Sequence, residues 1–259
     1  MIIVKIGGSV FSDKSDPKSF REDVVREIAS ELGGFYPENE IIVVHGGGSF
    51  GHPLAQQYRI REGIEPDSDF KRVGFSLTHQ AMLEVNDRIV EAFLSQHLPA
   101  FSVSSSSVFL TEGGEVAYGD VEVIKKLLEL NFIPVLFGDV SVDLAKGVEI
   151  LSGDQIIAYL AKMFRPEKVI FLMDVDGIYD GSPGEGGIIQ DLTVEDIEPL
   201  LERLRCTVEG TDVTGGICNK LLKAREIAEY SEVWFVNGRI PGRLGGAIAG
   251  QGSGTRLRR

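Results

Sequence analysis

The chain has 259 residues, 43% hydrophobic and 25% charged, enough to bury a large core as one α/β unit or two closely joined lobes. Its formal net charge of −13 argues against nucleic acid or an anionic membrane as the main partner, so a phosphate ligand must be held by local lysines and backbone amides. No apolar stretch approaches the roughly 20 residues of a spanning helix, and Met1 leads into a strand pattern rather than a leader, so a soluble cytoplasmic protein is expected.

Residues 2–6 read as an apolar strand running into Lys5-Ile6-Gly7-Gly8-Ser9. Gly7 and Gly8 can offer backbone N–H groups to a phosphate chain while Lys5 supplies a point charge, with Lys14 as a second cation. A tight turn with a solvated lysine accounts for the same residues. A helix is expected over 20–32 and a second strand over 41–44, followed by His45-Gly46-Gly47-Gly48-Ser49-Phe50-Gly51-His52. Glycines at the carboxyl end of a buried strand let amides approach a ligand, and the start of a following helix favours an anion. His52 is then placed beside that anion. The run formally satisfies G-x-G-x-x-G, but residues 59–69 hold no second strand ending in a carboxylate, so a nicotinamide or flavin enzyme is not indicated. The phosphate-loop pattern G-x-x-x-x-G-K-[ST] is absent as well.

Next come a helix over 77–96, a strand over 99–103, a hairpin over 108–118 turning at Gly113-Gly114, and a helix over 121–130. A strand over 132–137 ends in Gly138-Asp139, whose backbone could close over a second phosphate. Asp154 opens a helix over 155–164, where it either complements the helix dipole or pairs with active-site lysines. A very apolar strand over 168–173 ends in Asp174-Val175-Asp176-Gly177-Ile178-Tyr179, able to contact a nucleotide or a hydrated metal, or to cap its own turn. Residues 179–187 read as a loop. Thr211-Asp212-Val213-Thr214-Gly215-Gly216 then opens a helix over 217–230, and Lys220 lies one turn on, pointing back toward the loop. A strand over 232–236 follows, and Arg256-Leu257-Arg258-Arg259 reads as a solvated tail. Cys206 and Cys218 lack metal-ligand spacing and read as free thiols, and His79 and His97 read as surface or helix-face positions.

The alternation of strand and helix implies a mainly parallel sheet covered on both faces, with ligands at the carboxyl ends of its strands. A lobe boundary is expected near Pro166, dividing 1–165 (acceptor side) from 166–259 (nucleotide side) within one continuous sheet.

In order, from Lys5 to Gly254-Thr255-Arg256, these segments resemble the amino-acid kinase superfamily, which transfers the γ-phosphoryl group of ATP to a small oxyanion. Within it, the run His45 to His52 is similar to that of the isopentenyl phosphate kinases, as are Ser152-Gly153-Asp154, Asp174 to Tyr179 and Asp212 to Gly216. Asn219 stands beside Lys220 where some members have a second lysine. The resemblance implies an α/β fold, a three-layer αβα sandwich around a central, mostly parallel sheet of about eight strands. It also implies ATP and Mg²⁺, a homodimer, and conversion of isopentenyl phosphate to isopentenyl diphosphate in the alternative mevalonate route.

By the same resemblance His52, Lys5, Lys14, Asp154 and Lys220 are catalytic. His52 would hydrogen-bond the substrate phosphate, seated with Gly47, Gly48 and Gly138, while the lysines neutralise the ATP phosphates and Asp154 orients Lys5 and Lys220. Gly7, Gly8, Ser9, Gly48, Asp174, Gly177 and Gly216 would contact the nucleotide, and Phe75, Thr78, Val140 and Ile150 would line a pocket for the five-carbon tail. Mg²⁺ would be held mainly by phosphate oxygens and water, with no protein ligand. The alternatives are a kinase of another small phosphate or phosphonate, as in fosfomycin kinases, and a non-catalytic nucleotide-binding sensor.

Overall fold

All five residues of the first strand are buried, which requires a sheet covered on both faces. The computed structural model, which describes residues 1–13, 15–65, 67–181, 186–204 and 216–259, has that architecture. The first half of the chain forms β1 (Ile2–Ile6), α1 (Gly8–Phe11), α2 (Glu22–Gly33), β2 (Ile41–His45), α3 (Gly48–Gln57), α4 (Asp69–Leu94), β3 (Ala100–Ser102), α5 (Ser105–Val108), β4 (Phe109–Glu112), β5 (Glu115–Gly119) and α6 (Glu122–Glu129). The second half forms β6 (Ile133–Phe137), β7 (Asp139–Asp143), β8 (Gly147–Leu151), α7 (Gly153–Phe164), β9 (Lys168–Met173), β10 (Asp191–Thr193), α8 (Ile197–Arg203), α9 (Gly216–Ala228), β11 (Glu232–Asn237), α10 (Arg243–Ile248) and β12 (Thr255–Arg258).

Eight strands make the main sheet in the order β10-β12-β11-β9-β1-β2-β6-β3, parallel throughout except between β11 and β12. The period-two alternation of strand side chains divides the core between its faces. Val4, Ile6, Val43, Val135 and Leu172 pack with Ile28, Val85 and Leu244 of α2, α4 and α10. Ile3, Val44, Leu136 and Phe171 pack with Ile124, Ile157 and Leu221 of α6, α7 and α9. The expected three-layer αβα sandwich is thus observed. Among the described residues no helix is long and apolar enough to cross a membrane.

Four differences from expectation have physical causes. A second sheet, β5-β4-β7-β8, includes two strands between 139 and 151 that the sequence pattern hid, because the inward positions of β7 are Asp139, Ser141 and Asp143. Asp143 accepts the amides of Gly113, Gly114, Ala145 and Lys146 there; desolvation would raise its carboxyl, but hydrogen bonds from Gly114, Lys146, Thr111 and Ala145 hold it at about 2. Helix α4 begins at Asp69 rather than near 77, since the Ser68 hydroxyl accepts the Lys71 amide and Lys71 and Gly74 are buried rather than solvated. The C-terminal residues are not a solvated tail. Leu257 is fully buried in β12, and Arg256 and Arg258 pair with Glu232 and Asp191. Cys218 is disulfide-bonded rather than a free thiol, because pairing depends on proximity in space, which residue counts do not show; Cys206 lies outside the described residues.

Other expectations are met. The hairpin turns at Gly113 and Gly114, with φ of +59° and +87°. Tyr179 bridges Ile188, while residues 182–185 of the expected loop lie outside the described residues. His97 is exposed beyond the end of α4, at a positive φ of 59°.

Candidate active site

Strands β9, β1, β2 and β6 are neighbours and parallel, so their carboxyl ends open side by side onto one cavity of about 310 Å³. The turns after them hold Asp174, Gly7-Gly8-Ser9, Gly46-Gly47-Gly48 and Gly138-Asp139. Each first amide after β1, β2 and β6 is already used by the neighbouring strand. Gly7 N donates to Leu172 O, Gly46 N to Ile6 O and Gly138 N to His45 O, at 2.9–3.1 Å. The amides of Gly8, Ser9, Gly47 and Gly48 donate to no group among the described residues. This corrects the expectation that Gly7 offers its N–H to a phosphate; the Gly138 N–H is likewise spent inside the sheet, while both residues border the cavity. The amides left without an acceptor among the described residues lie one or two residues further on, at helix starts.

The two glycine turns interlock. A Cβ on Gly8 would sit 2.5 Å from Gly48 N, and one on Gly48, at φ +51°, would fall 2.3 Å from Ser12 Oγ. Glycine is required here for close backbone approach as well as for the left-handed conformation.

Lys5 reaches the cavity floor from β1 and donates from Nζ to Asp154 Oδ1 at 2.5 Å, while Lys220 Nζ on α9 lies 3.5 Å from Oδ2. Both ammonium groups also stand over the ring of Phe171, at 5.8 and 5.1 Å from its centre. Asp154 sits in the first turn of α7, whose start is fixed by a capping box between Ser152 and Gln155. Both sequence readings of Asp154 therefore hold: it lies at a helix N-terminus and it joins two lysines. Burial would raise its carboxyl, but Lys220 and Lys5 overcome this and hold it at about 2. Burial lowers the Lys5 ammonium to about 8, against the attraction of Asp154.

His52, in α3, borders the cavity with its ring against Gly47. Thr78 and Ile150 border the same end, joined by Met82 and Ala55. Phe75 and Val140 do not border it; they form a small apolar cluster behind Ile150 with Ile60 and Val148. Gly177 also lies off the cavity. Its hydrogens face Thr255 and Ile188, and a Cβ would meet Thr255 Oγ1 at 2.8 Å, so its smallness serves packing. Gly216 and Asp174 do border the cavity, whereas Lys14 lies outside the described residues. Asp174 accepts from the Ser9 hydroxyl at 2.8 Å, and the Arg239 guanidinium donates to Ser9 O, tying the turns after β1, β9 and β11 together.

Met82 and Arg239 were missed by sequence reasoning, and of Asp139 only the backbone was considered, not the side chain. Met82 lies one helical turn from Thr78, and Arg239 follows a strand's carboxyl end, so spacing could have found both. His45 directly precedes the glycines but is fully buried, and burial lowers its imidazole to about 4, so it is a neutral structural group bonded to Gly46 and Asn86. Among the described residues no three His, Cys, Asp or Glu side chains converge as a metal site.

Unpaired amides, two cations on a shared carboxylate and a histidine facing one cavity are suited to holding phosphates and stabilising charge during group transfer. The chain belongs to the amino acid kinase family, whose sequence model matches residues 1–237. It is 36% identical to the isopentenyl phosphate kinase of Methanothermobacter thermautotrophicus, over 99% of this chain and 98% of that protein. The isopentenyl phosphate kinase of Methanocaldococcus jannaschii is 32% identical over 99% and 98%. A product complex of the Thermoplasma acidophilum isopentenyl phosphate kinase superposes with a TM-score of 0.82, at 28% identity and full coverage of both chains.

Proposed function

We propose that this chain phosphorylates isopentenyl phosphate with ATP, yielding isopentenyl diphosphate and ADP, as a kinase of isoprenoid biosynthesis. The observation that carries this reading is the pairing, in one cavity, of a charged floor built from Lys5, Asp154 and Lys220 with an end where His52 meets Thr78, Met82 and Ile150. A phosphate monoester with a short apolar tail matches that second end.

A phosphate-monoester oxygen of the acceptor attacks the γ-phosphorus, and the bond to the β,γ-bridging oxygen breaks. The nucleophile is anionic near neutral pH, so no strong base is needed, and catalysis consists of positioning and charge neutralisation. His52 donates a hydrogen bond to the acceptor phosphate and steadies the transferring group. Lys5 and Lys220, with Lys14, neutralise the ATP phosphates, and the amides of Gly8, Ser9, Gly47 and Gly48 hold phosphate oxygens. Asp154 is committed to two lysines and Asp174 to Ser9, a donor set that leaves Mg²⁺ to phosphate oxygens and water, where it would supply further neutralisation.

The lobes divide the work, 1–165 carrying the acceptor side and 166–259 the nucleotide side, with Asp154 and Lys220 joining them. A cytoplasmic location is supported by the need for ATP. Homodimerisation is supported by the edge strand β3, where exposed Phe101 packs edge-on against Phe132, and light scattering tests it.

The activity is tested by supplying Mg-ATP with isopentenyl phosphate, dimethylallyl phosphate and fosfomycin. Isopentenyl phosphate should give the highest kcat/KM. Preferential turnover of fosfomycin would replace the substrate assignment, and ATP binding with no transfer to any acceptor would indicate a sensor. In the same assay His52→Ala should lower kcat by about 10²-fold, as for loss of one transition-state donor. An unchanged kcat would remove His52 from the chemical step.

A further inference from the structure

Asp139 follows Gly138 at the acceptor end of the cavity, and its side chain is fully buried. One carboxylate oxygen accepts the Val140 amide at 2.8 Å, and the other lies 2.7 Å from Nδ1 of His79 on α4. The Ser106 hydroxyl, on α5, stands 3.5 Å from the same nitrogen. Among the described residues no lysine or arginine is paired with Asp139, and His79 is the side chain that holds its second carboxylate oxygen. Burial pushes the Asp139 carboxyl above its usual range, against the opposing effects of His79, the Val140 amide and Ser106, while the His79 side chain stays partly exposed. His79 is therefore not the plain helix-face residue that the sequence suggested.

The two ends of this bond belong to different walls of the acceptor site. Gly138 and Asp139 form one, while Thr78, beside His79 on α4, and Met82, one turn on, form another. The β6–β7 turn has no slack of its own. Gly138 N is held by His45 O, and a Cβ on Gly138 would already sit 3.0 Å from Gly153 N. The separation of the walls therefore depends on what fastens α4 to the turn, and a displacement of about 1 Å at a reacting phosphate is enough to cost two orders of magnitude in rate.

We propose that His79 is a positioning residue for phosphoryl transfer, a strut to Asp139 that sets the spacing between α4 and the Gly138–Asp139 turn where the acceptor phosphate is seated. This rests on the reading of that end as the isopentenyl phosphate site.

Steady-state kinetics of the wild type, His79→Ala and His79→Asn, with isopentenyl phosphate and ATP each varied, test it. Asparagine carries its amide nitrogen on the same branch as imidazole Nδ1 and so keeps a donor for Asp139. His79→Ala should raise KM for isopentenyl phosphate by about tenfold or more and leave KM for ATP within about twofold, and His79→Asn should recover most of the loss. An unchanged acceptor KM in His79→Ala overturns the proposal, as does an equal rise in both KM values or an asparagine variant no better than alanine. Should the alanine variant fail to fold, His79→Asn compared with Asp139→Ala decides: an acceptor-specific KM increase in Asp139→Ala alone supports the strut, and its absence overturns it. Wild-type turnover is read first. No transfer to isopentenyl phosphate would overturn the functional reading and the strut together, whereas normal wild-type transfer with unaffected variants would overturn the strut alone.

Discussion

The two ends of the cavity are built on opposite physical principles. At the end proposed for phosphoryl transfer, Lys5, Asp154 and Lys220 are nine-tenths to four-fifths buried charges whose positions depend on one another. At the end proposed for the tail, Thr78, Met82 and Ile150 face the cavity, with Phe75, Val140, Ile60 and Val148 packed with Ile150. Removing one charge from the first end leaves others desolvated and unpaired, whereas removing a methyl group from the second leaves only less contact. The transfer end should be intolerant of change and the tail end adjustable.

Asp154→Asn tests the contrast most severely. It preserves shape but strands two cations, so stability should fall by about 3–5 kcal/mol, as for breaking a buried pair. With both lysines released, kcat should fall by about 10²-fold or more. Denaturant unfolding and steady-state kinetics measure the two effects. A variant of normal stability and rate would show that the lysines do not depend on Asp154.

The next effect comes from pH. Lys5 titrates at about 8 in the folded chain, so its charge is lost as pH rises through that value. The kcat/KM for ATP should then fall by up to about tenfold per unit above the transition. Lys5→Arg, which does not deprotonate, should lack this limb at a lower plateau. A wild-type profile flat to pH 9.5 would sink the idea. The stability contribution of Lys5 has the opposite slope: between pH 8 and its ordinary 10.5 the unfolded chain binds more protons, so stability rises with pH in that window. Asp154 contributes stability above 3.8 that is lost as pH falls toward 2.

The smallest effect is expected at the tail end. Ile150→Ala should raise KM for isopentenyl phosphate by about tenfold or less, in the range for a few lost methylene contacts, while improving relative turnover of longer prenyl phosphates. A loss in kcat as large as that of Asp154→Asn would erase the distinction between the two ends.

Much of this was legible in the order of residues, for a reason that can be stated. Strands β1, β2, β6 and β9 are buried on both faces, so they read as continuous apolar runs, and each is followed by glycines or an aspartate that no core needs. β7 was not legible, because its inward side chains are polar and are satisfied only by partners from elsewhere in the chain, His79 and the Gly113–Gly114 turn among them. Leu257 was misread for the same reason: a short stretch between arginines becomes a strand only because β11 and β10 flank it.

The sequence by itself determined the strand–helix alternation, the glycine turns and the identity of the charged groups, since these follow from local periodicity and from the limits on backbone approach. Only the tertiary structure decided which amides are left without an acceptor among the described residues, that residues 149 and 66 positions from Asp154 share its carboxylate, and that His79 answers to Asp139. Those facts depend on which strand ends lie side by side and on how deeply each charge is desolvated, and neither is a property of neighbours along the chain.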